Sequence, residues 1–454
     1  MTATTGRPTR SEPATASFAD TVRVLGLAVA PIVAQGVIAR RRRVVALAGK
    51  LDTDGRGVRE LQRIRERYGP GPVRLRIPLR PVALVLDPAD VRRVLTGTPG
   101  PFTPRNREKR GALGRFQRHG VLVSRNEERT PRRRVVEEVL DGGHPVHRNA
   151  DALVRAAREE ATALVAQARG RGGFDSDDFM TAWWRVVRRV VLGDPARDDH
   201  ALTDDLTVLR HSANWSGLGR RHRRRSERLR RRLQRYVDEA APGSLAELLA
   251  AQPDGIADPV GQIPQWLFAF DPAGAVALRA LALLVAHPDE LAAVRAELAG
   301  RDLDAPQDLP RLRAAVLESA RLWPTTPLVL RDTTEPTTWA GETLPAHTAM
   351  VVPAWFLHRD DQVRADADRF HPEQWLDGSA QADWSLLPFS AGPAACPGRE
   401  LVLLVASTVL ATLLDAGDVT AAAGVPDGGP GLPRGLDPYA LQFRLHDTTQ
   451  RSAR

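Results

Sequence analysis

Apolar residues recur at intervals of three and four through most of residues 150–240, the spacing of one buried helix face. The same spacing predicts helices over 289–298, 312–322 and 398–414. Between Val73 and Leu86 the pattern becomes a weak alternation through Leu75, Ile77, Leu79, Val82 and Leu84, which predicts two short strands around Pro78 and Pro81. Asp87-Pro88 then opens a helix, with Asp87 as its cap and the proline at its first position. Further strand-like pieces lie near Val329, near Trp339, and over 350–352 and 440–445. The pattern thus predicts a mainly α fold with small β-sheets.

The most informative helix runs from Pro264 to Ala286 and is closed by His287-Pro288. It is apolar nearly all round, so it should run through a core, and at 1.5 Å per residue it would be about 34 Å long. Asp271 and Arg279 argue against a membrane span. Pro272, inside it, removes the bond to the Phe268 carbonyl and should kink the helix. A carboxylate beside a broken turn in a buried helix costs free energy, which marks Asp271 and Pro272 as candidate functional residues.

The chain ends read differently. Residues 1–20 are small, polar and aperiodic, and a disordered tail is expected there. Residues 21–64 read as an N-terminal helical segment. Its apolar stretch from Val24 to Ala39 is about 16 residues, short of the roughly 20 needed to span a bilayer, and Arg40 to Arg43 follow. A core or partner-facing helix fits it, with an interfacial segment as the alternative. Residues 65–454 read as one domain.

Composition adds little until the cysteine is considered. The net charge is +9, and all but Lys50 and Lys109 of the 64 basic residues are Arg. The run from Arg220 to Arg235 keeps Leu229 and Leu233 four apart, as one exposed helix face would, and has no aromatic before Tyr236 for base stacking. Nucleic-acid binding is therefore not expected. One cysteine excludes a disulfide framework and any zinc site built on several cysteines, and it suits a reducing, cytoplasmic compartment.

That cysteine, Cys396, lies in a Gly/Pro-rich loop entering the 398–414 helix. Helix-end amides there should lower the thiol pKa. The thiolate could be a nucleophile or a metal ligand. As a nucleophile it lacks a base nearby in sequence, His371 being 25 positions away. As a lone ligand it suits haem, whose porphyrin supplies the other four.

The motif Phe389-x-x-Gly392-x-x-x-Cys396-x-Gly398 resembles the haem-binding signature of the cytochrome P450 family. Glu318-x-x-Arg321 resembles the family's buried structural pair, and the segment from Pro324 to Arg331 resembles the one that follows it. Trp339 to Val352 resembles the next hairpin, and His358-Arg-Asp360 with Phe370-x-Pro372 the meander before the cysteine. The resemblance covers roughly residues 65–454 and implies heme b as cofactor, with Cys396 as the iron's thiolate ligand. It implies that Phe389 packs by the porphyrin, Gly392 permits close backbone approach, and the amide near Gly398 bonds the sulfur. Arg331, and less directly Arg129 and Arg133, would pair with propionates. Leu267, Phe268, Phe270, Asp271 and Gly274 would roof a substrate pocket. Thr325, Thr326, Leu328 and Val329 would form one wall, and Leu432 to Leu436 the tip.

Four departures accompany the resemblance. Ala394 stands where a propionate-binding Arg or His is usual, Gln374 where an Arg completes the Glu318–Arg321 triad, and Val402 where a small residue is usual. Pro272 replaces the usual alcohol after the acid that relays protons to the dioxygen being reduced. The expected activity is monooxygenation of a hydrophobic small molecule or natural-product intermediate. Electrons would come from a separate ferredoxin or flavodoxin and its reductase, without membrane contact. Peroxide-using or non-oxygenating chemistry, a non-catalytic haem binder and a thiol-nucleophile enzyme are the alternatives.

Overall fold

A computed structural model describes residues 14–215, 220, 222–252, 258–339, 341–429 and 431–447. Helix takes up 57% of the chain and the sheets are small. The helix Ile263–Ala286 forms the axis, and Ser176–Leu192, Pro310–Leu322 and Arg399–Asp415 pack on it. Its buried Val276, Ala277, Ala280, Leu281 and Leu284 belong to the larger apolar core. Pro264 sits in its first turn, and Pro272 lies inside it without ending it. Ser176–Leu192 is started by a reciprocal capping box between Asp175 and Asp178. The Trp183 indole on that helix donates to the Phe270 carbonyl at 2.7 Å.

Among the described residues, ten short strands complete the fold. β1 (Val73–Leu75), β2 (Val82–Leu84), β3 (Phe102–Thr103), β5 (Leu328–Thr333) and β8 (Ala349–Pro353) form one sheet in the order β1-β2-β8-β5-β3. Only β2 and β8 run parallel in it. β4 (Gly173–Asp175), β9 (Asp418–Ala423) and β10 (Gln442–His446) form a second, in the order β4-β10-β9. β6 (Thr337–Trp339) pairs with β7 (Glu342–Leu344). The first sheet lies over a separate apolar core made with Val58, Leu61 and Ile64 of the helix Thr53–Tyr68.

The N-terminus differs from expectation. Residues 1–13 lie outside the described residues, but 14–20 are not a loose tail. The Ala16 amide donates to the Arg74 carbonyl at 2.8 Å, and the Arg74 amide to the Ala14 carbonyl at 2.9 Å. Ser17 caps a helix that starts at Phe18. Asp20 is buried, accepts from the Tyr68 hydroxyl and pairs with Arg63. These backbone and carboxylate bonds order a segment whose composition alone would not. Helix then continues through a π-turn to Gln35, and Gly36, at φ 93°, ends it. Phe18–Gln35 and Pro259–Ala286 are both long and apolar enough to cross a membrane by length and composition. The second is the core helix. In the first, Phe18, Val22, Leu25, Leu27 and Val33 are exposed, so much of its apolar surface faces outward rather than into a core.

Candidate haem and substrate site

The chain from Leu387 to Gly398 is held from three sides. The Leu387 amide donates to Nε2 of the buried His358 at 2.8 Å. The Cys396 amide donates to the Phe389 carbonyl at 2.9 Å, closing the loop on itself. Arg133 donates to the Ala395 carbonyl at 2.8 Å and pairs with Glu137 at 2.6 Å. Arg133 is thus tied to the loop and to a carboxylate, and it also lines the cavity described below. Gly392 has φ 69°, and a Cβ there would stand 2.3 Å from the Leu95 carbonyl. Its backbone thus closely approaches the Pro88–Thr96 helix. Burial pushes the Cys396 thiol pKa up, and the Gly398 amide offsets this only in part. The expectation of a lowered thiol pKa is therefore corrected: desolvation outweighs the helix-end amide in the free chain.

A cavity of about 1240 Å³ lies between this loop and the central helix. Phe389, Cys396 and Gly398 line one side; Phe268, Phe270, Asp271 and Pro272 line the other. Thr325, Thr326, Leu328, Val329 and Arg331 contribute a wall, and Leu436 a tip. Leu267 and Gly274 do not line it, which corrects their place in the roof. Leu267 is fully buried in the main core. Gly274 faces away, where a Cβ would stand 2.7 Å from Trp183. Leu432 likewise packs in a small separate cluster with Leu322 and Trp323.

Three cations gather at the cavity's edge: Arg331 and Lys109 line it and Arg129 stands beside Arg331, while the carboxylates nearest Lys109, Glu108 and Asp332, are already shared with Arg80. Arg331, 3% exposed, donates only to the Thr98 hydroxyl and the Leu330 carbonyl. Burial and the Arg129 guanidinium push its pKa down to about 10. Arg129 is buried with an unpartnered Nε. Lys109, missed by the sequence reading, donates to the Pro104 and Leu330 carbonyls. Burial, with Arg331 beside it, pushes its pKa down to about 7. The one signal it gave was being one of two lysines in an Arg-rich chain. Uncompensated buried cations are costly, and a dianionic group between them removes that cost. A thiol facing the same cavity completes a donor set that fits haem: Cys396 for iron, and Arg331, Lys109 and Arg129 for two propionates.

On the opposite side, Arg210 of the helix His200–Ala213 pairs with Asp271. Its guanidinium also lies 5.2 Å from the Phe268 ring centroid and donates to the Ile38 carbonyl. Nothing in the spacing of Arg210 and Asp271 announced this contact. Away from the cavity, Glu318 and Arg321 are fully buried and doubly bonded, at 2.6 and 2.8 Å. Gln374 donates to Glu318 at 3.0 Å, filling the departure noted in the sequence, and accepts from Arg364 at 2.8 Å.

The axial helix, the cysteine loop and the cation-rimmed cavity between them define a haem-thiolate protein. The family model described as Cytochrome P450 matches residues 275–425, about a third of the chain, and over that stretch the chain is similar to members of the cytochrome P450 family. It is 37% identical over 142 residues to sugiol synthase of Salvia miltiorrhiza, covering 29% of each chain. It is 37% identical over 140 residues to cyclooctat-9-en-7-ol 5-monooxygenase of Streptomyces melanosporofaciens, covering 29% of this chain and 30% of the other. With these curated relatives the chain thus shares less than a third of their length. A zebrafish cytochrome P450 structure with progesterone shares the fold, with TM-score 0.68, 20% identity, and coverage of 86% of this chain and 99% of that one.

Proposed function

We propose that this protein is a monooxygenase that oxidises a hydrophobic small molecule or natural-product intermediate in a reducing cytoplasm. Its electrons come from a separate ferredoxin or flavodoxin and its reductase. The observation that carries this reading is that Cys396 and Asp271-Pro272 line one cavity, with Arg331 and Lys109 on its wall and the buried Arg129 beside Arg331. Names such as cyclooctat-9-en-7-ol 5-monooxygenase and, at 31% identity over 169 residues, geraniol 8-hydroxylase of Swertia mussotii support the class.

Bound haem supplies reductive activation of dioxygen. One oxygen atom enters a substrate C–H bond and the other leaves as water, with two electrons from the partner and two protons from solvent. The Gly398 amide favours the anionic form of the Cys396 sulfur. Phe268, Phe270 and Phe389 keep the cavity walls apolar and limit water. Asp271 can hold and pass a proton at its carboxylate only when its contact with Arg210 loosens.

The deciding test is the absorption spectrum of the reduced, carbon-monoxide-bound protein. A strongly red-shifted Soret band is expected, and it should vanish in Cys396→Ser. Haem bound without that band would overturn the reading. The clamp on Asp271, together with a proline in the alcohol position, also favours a second reading in which peroxide is the oxidant. Turnover driven by hydrogen peroxide but not by a ferredoxin and reductase would select it.

A further inference from the structure

The substrate end of the cavity is not uniformly apolar. Arg40 lies in the loop before the helix Arg42–Lys50, Asp54 in the first turn of Thr53–Tyr68, and Arg279 on the central helix. All three line the cavity. Three other arginines that line the cavity have carboxylate partners: Arg210 has Asp271, Arg42 has Asp177, and Arg359 has Asp368. Arg40 and Arg279 differ. Arg40 donates to the Thr325 carbonyl at 3.3 Å. Arg279 donates to the carbonyls of Trp323 at 3.3 Å and Leu436 at 2.5 Å, and its Nε is buried without a partner. Among the described residues, neither guanidinium is within ion-pairing distance of a carboxylate, and Asp54 accepts no hydrogen bond. Burial pushes the pKa of Asp54 up and those of both arginines down, Arg279 to about 10, as expected of desolvated charges without a direct partner.

Among these three lining groups the cations outnumber the anion by one, while Asp437 acts on Arg279 from outside the cavity lining. The surrounding walls are apolar, with Val29, Ile32, Val45 and Val58 among them. We infer that Arg40 and Arg279 form a subsite for the carboxylate of an amphiphilic monoacid, whose apolar body fills the rest of the cavity. A monoanion balances the excess, whereas a dianion would leave a negative charge facing Asp54. Planar guanidiniums match a carboxylate geometrically. Arg279 lies seven residues beyond Pro272, so the two share a helix face about 10 Å apart along the axis. The carbon oxidised is therefore remote from the acid group rather than next to it. This inference rests on the proposed monooxygenase reading for the reaction, though not for the binding.

The test is calorimetric titration of the haem-loaded protein, at mildly alkaline pH, with acid and methyl-ester pairs: decanoic acid, hexadecanoic acid and a bicyclic terpenoid acid. At least one acid should bind about tenfold or more tightly than its ester. Arg279→Gln and Arg40→Gln should each pull that ratio towards one while leaving ester affinity in place. Asp54→Asn should raise acid affinity, a change opposite in sign. If no acid outbinds its ester, or if the arginine variants weaken both members equally, the subsite is overturned and the arginines are structural ties for the Thr325 and Leu436 segments. The same preparations give the reduced carbon-monoxide spectrum. An acid preference without the thiolate band would spare the subsite and sink the monooxygenase reading; the band without the preference would do the reverse.

Discussion

The Asp271 carboxylate shares its charge with Arg210, which is itself buried and stacked near Phe268. Asp271→Asn removes the only titratable carboxylate on the central helix and should lower ferredoxin-driven turnover by about 10²-fold or more, with a much smaller effect on peroxide-driven turnover. Comparing the two rates in one preparation checks this. At the other edge, Arg331→Leu should weaken haem retention by about tenfold or more, read as the haem-to-protein ratio after dialysis against apomyoglobin. Residues of this kind were unevenly legible. Cys396, Glu318 and Arg321 sit in short motifs, where spacing along the chain carries the geometry. Arg210, Lys109 and Arg40 meet their site only through tertiary folding, across separations no periodicity records. The direction of the Cys396 shift was missed because a helix start can be seen in sequence and desolvation cannot.

The segments around Pro310–Leu322 depend on one neutralised box. Glu318 takes bonds from Arg321, Gln374, the Trp375 indole and the His371 amide. Arg321→Met leaves a fully buried carboxylate without its cation and should cost about 3–5 kcal/mol, measured as a shift in denaturant midpoint. Placing Arg there with Gln374→Arg should also destabilise, by about 1–3 kcal/mol, because Arg364 loses one of its acceptors and faces a second guanidinium. His358 sets a pH limit on the same region. Its Nδ1–H donates to the Arg321 carbonyl, and Nε2 accepts from the Leu387 amide. Burial, with Arg321 and Arg364 nearby, pushes its pKa down from 6.5 to about 3. The unfolded chain therefore takes up this proton first, and stability present above pH 6.5 should fall as pH drops towards 3. Since Leu387 begins the cysteine loop, haem absorbance should fade over that window, and less so in His358→Gln. Element identity was largely legible because helices here are long and periodic. The ordered start at 14–20 was not, since a handful of long-range bonds, rather than pattern, fixes it.

For the molecule as a whole, residues 14–52 are built into the catalytic body and are not an appendage to it. Asn214 accepts from the Ile38 and Ala39 amides and donates to the Ala39 carbonyl, stitching the N-terminal segment to the end of His200–Ala213. Asn214→Ala should open this seam by about 1–3 kcal/mol, read as faster hydrogen exchange at 36–41 with the central helix unchanged. Sequence periodicity had divided the chain near residue 64, because local pattern is blind to bonds spanning 170 positions or more. One turn earlier on the same helix face, the Arg210–Asp271 contact joins this helix to the molecular axis, and this gives it a thermodynamic role beyond proton handling. It acts as a latch between two helices that both line the cavity. A ligand that seats only with the two parted binds more weakly by the latch's free energy, so cutting the latch tightens that ligand by the same factor.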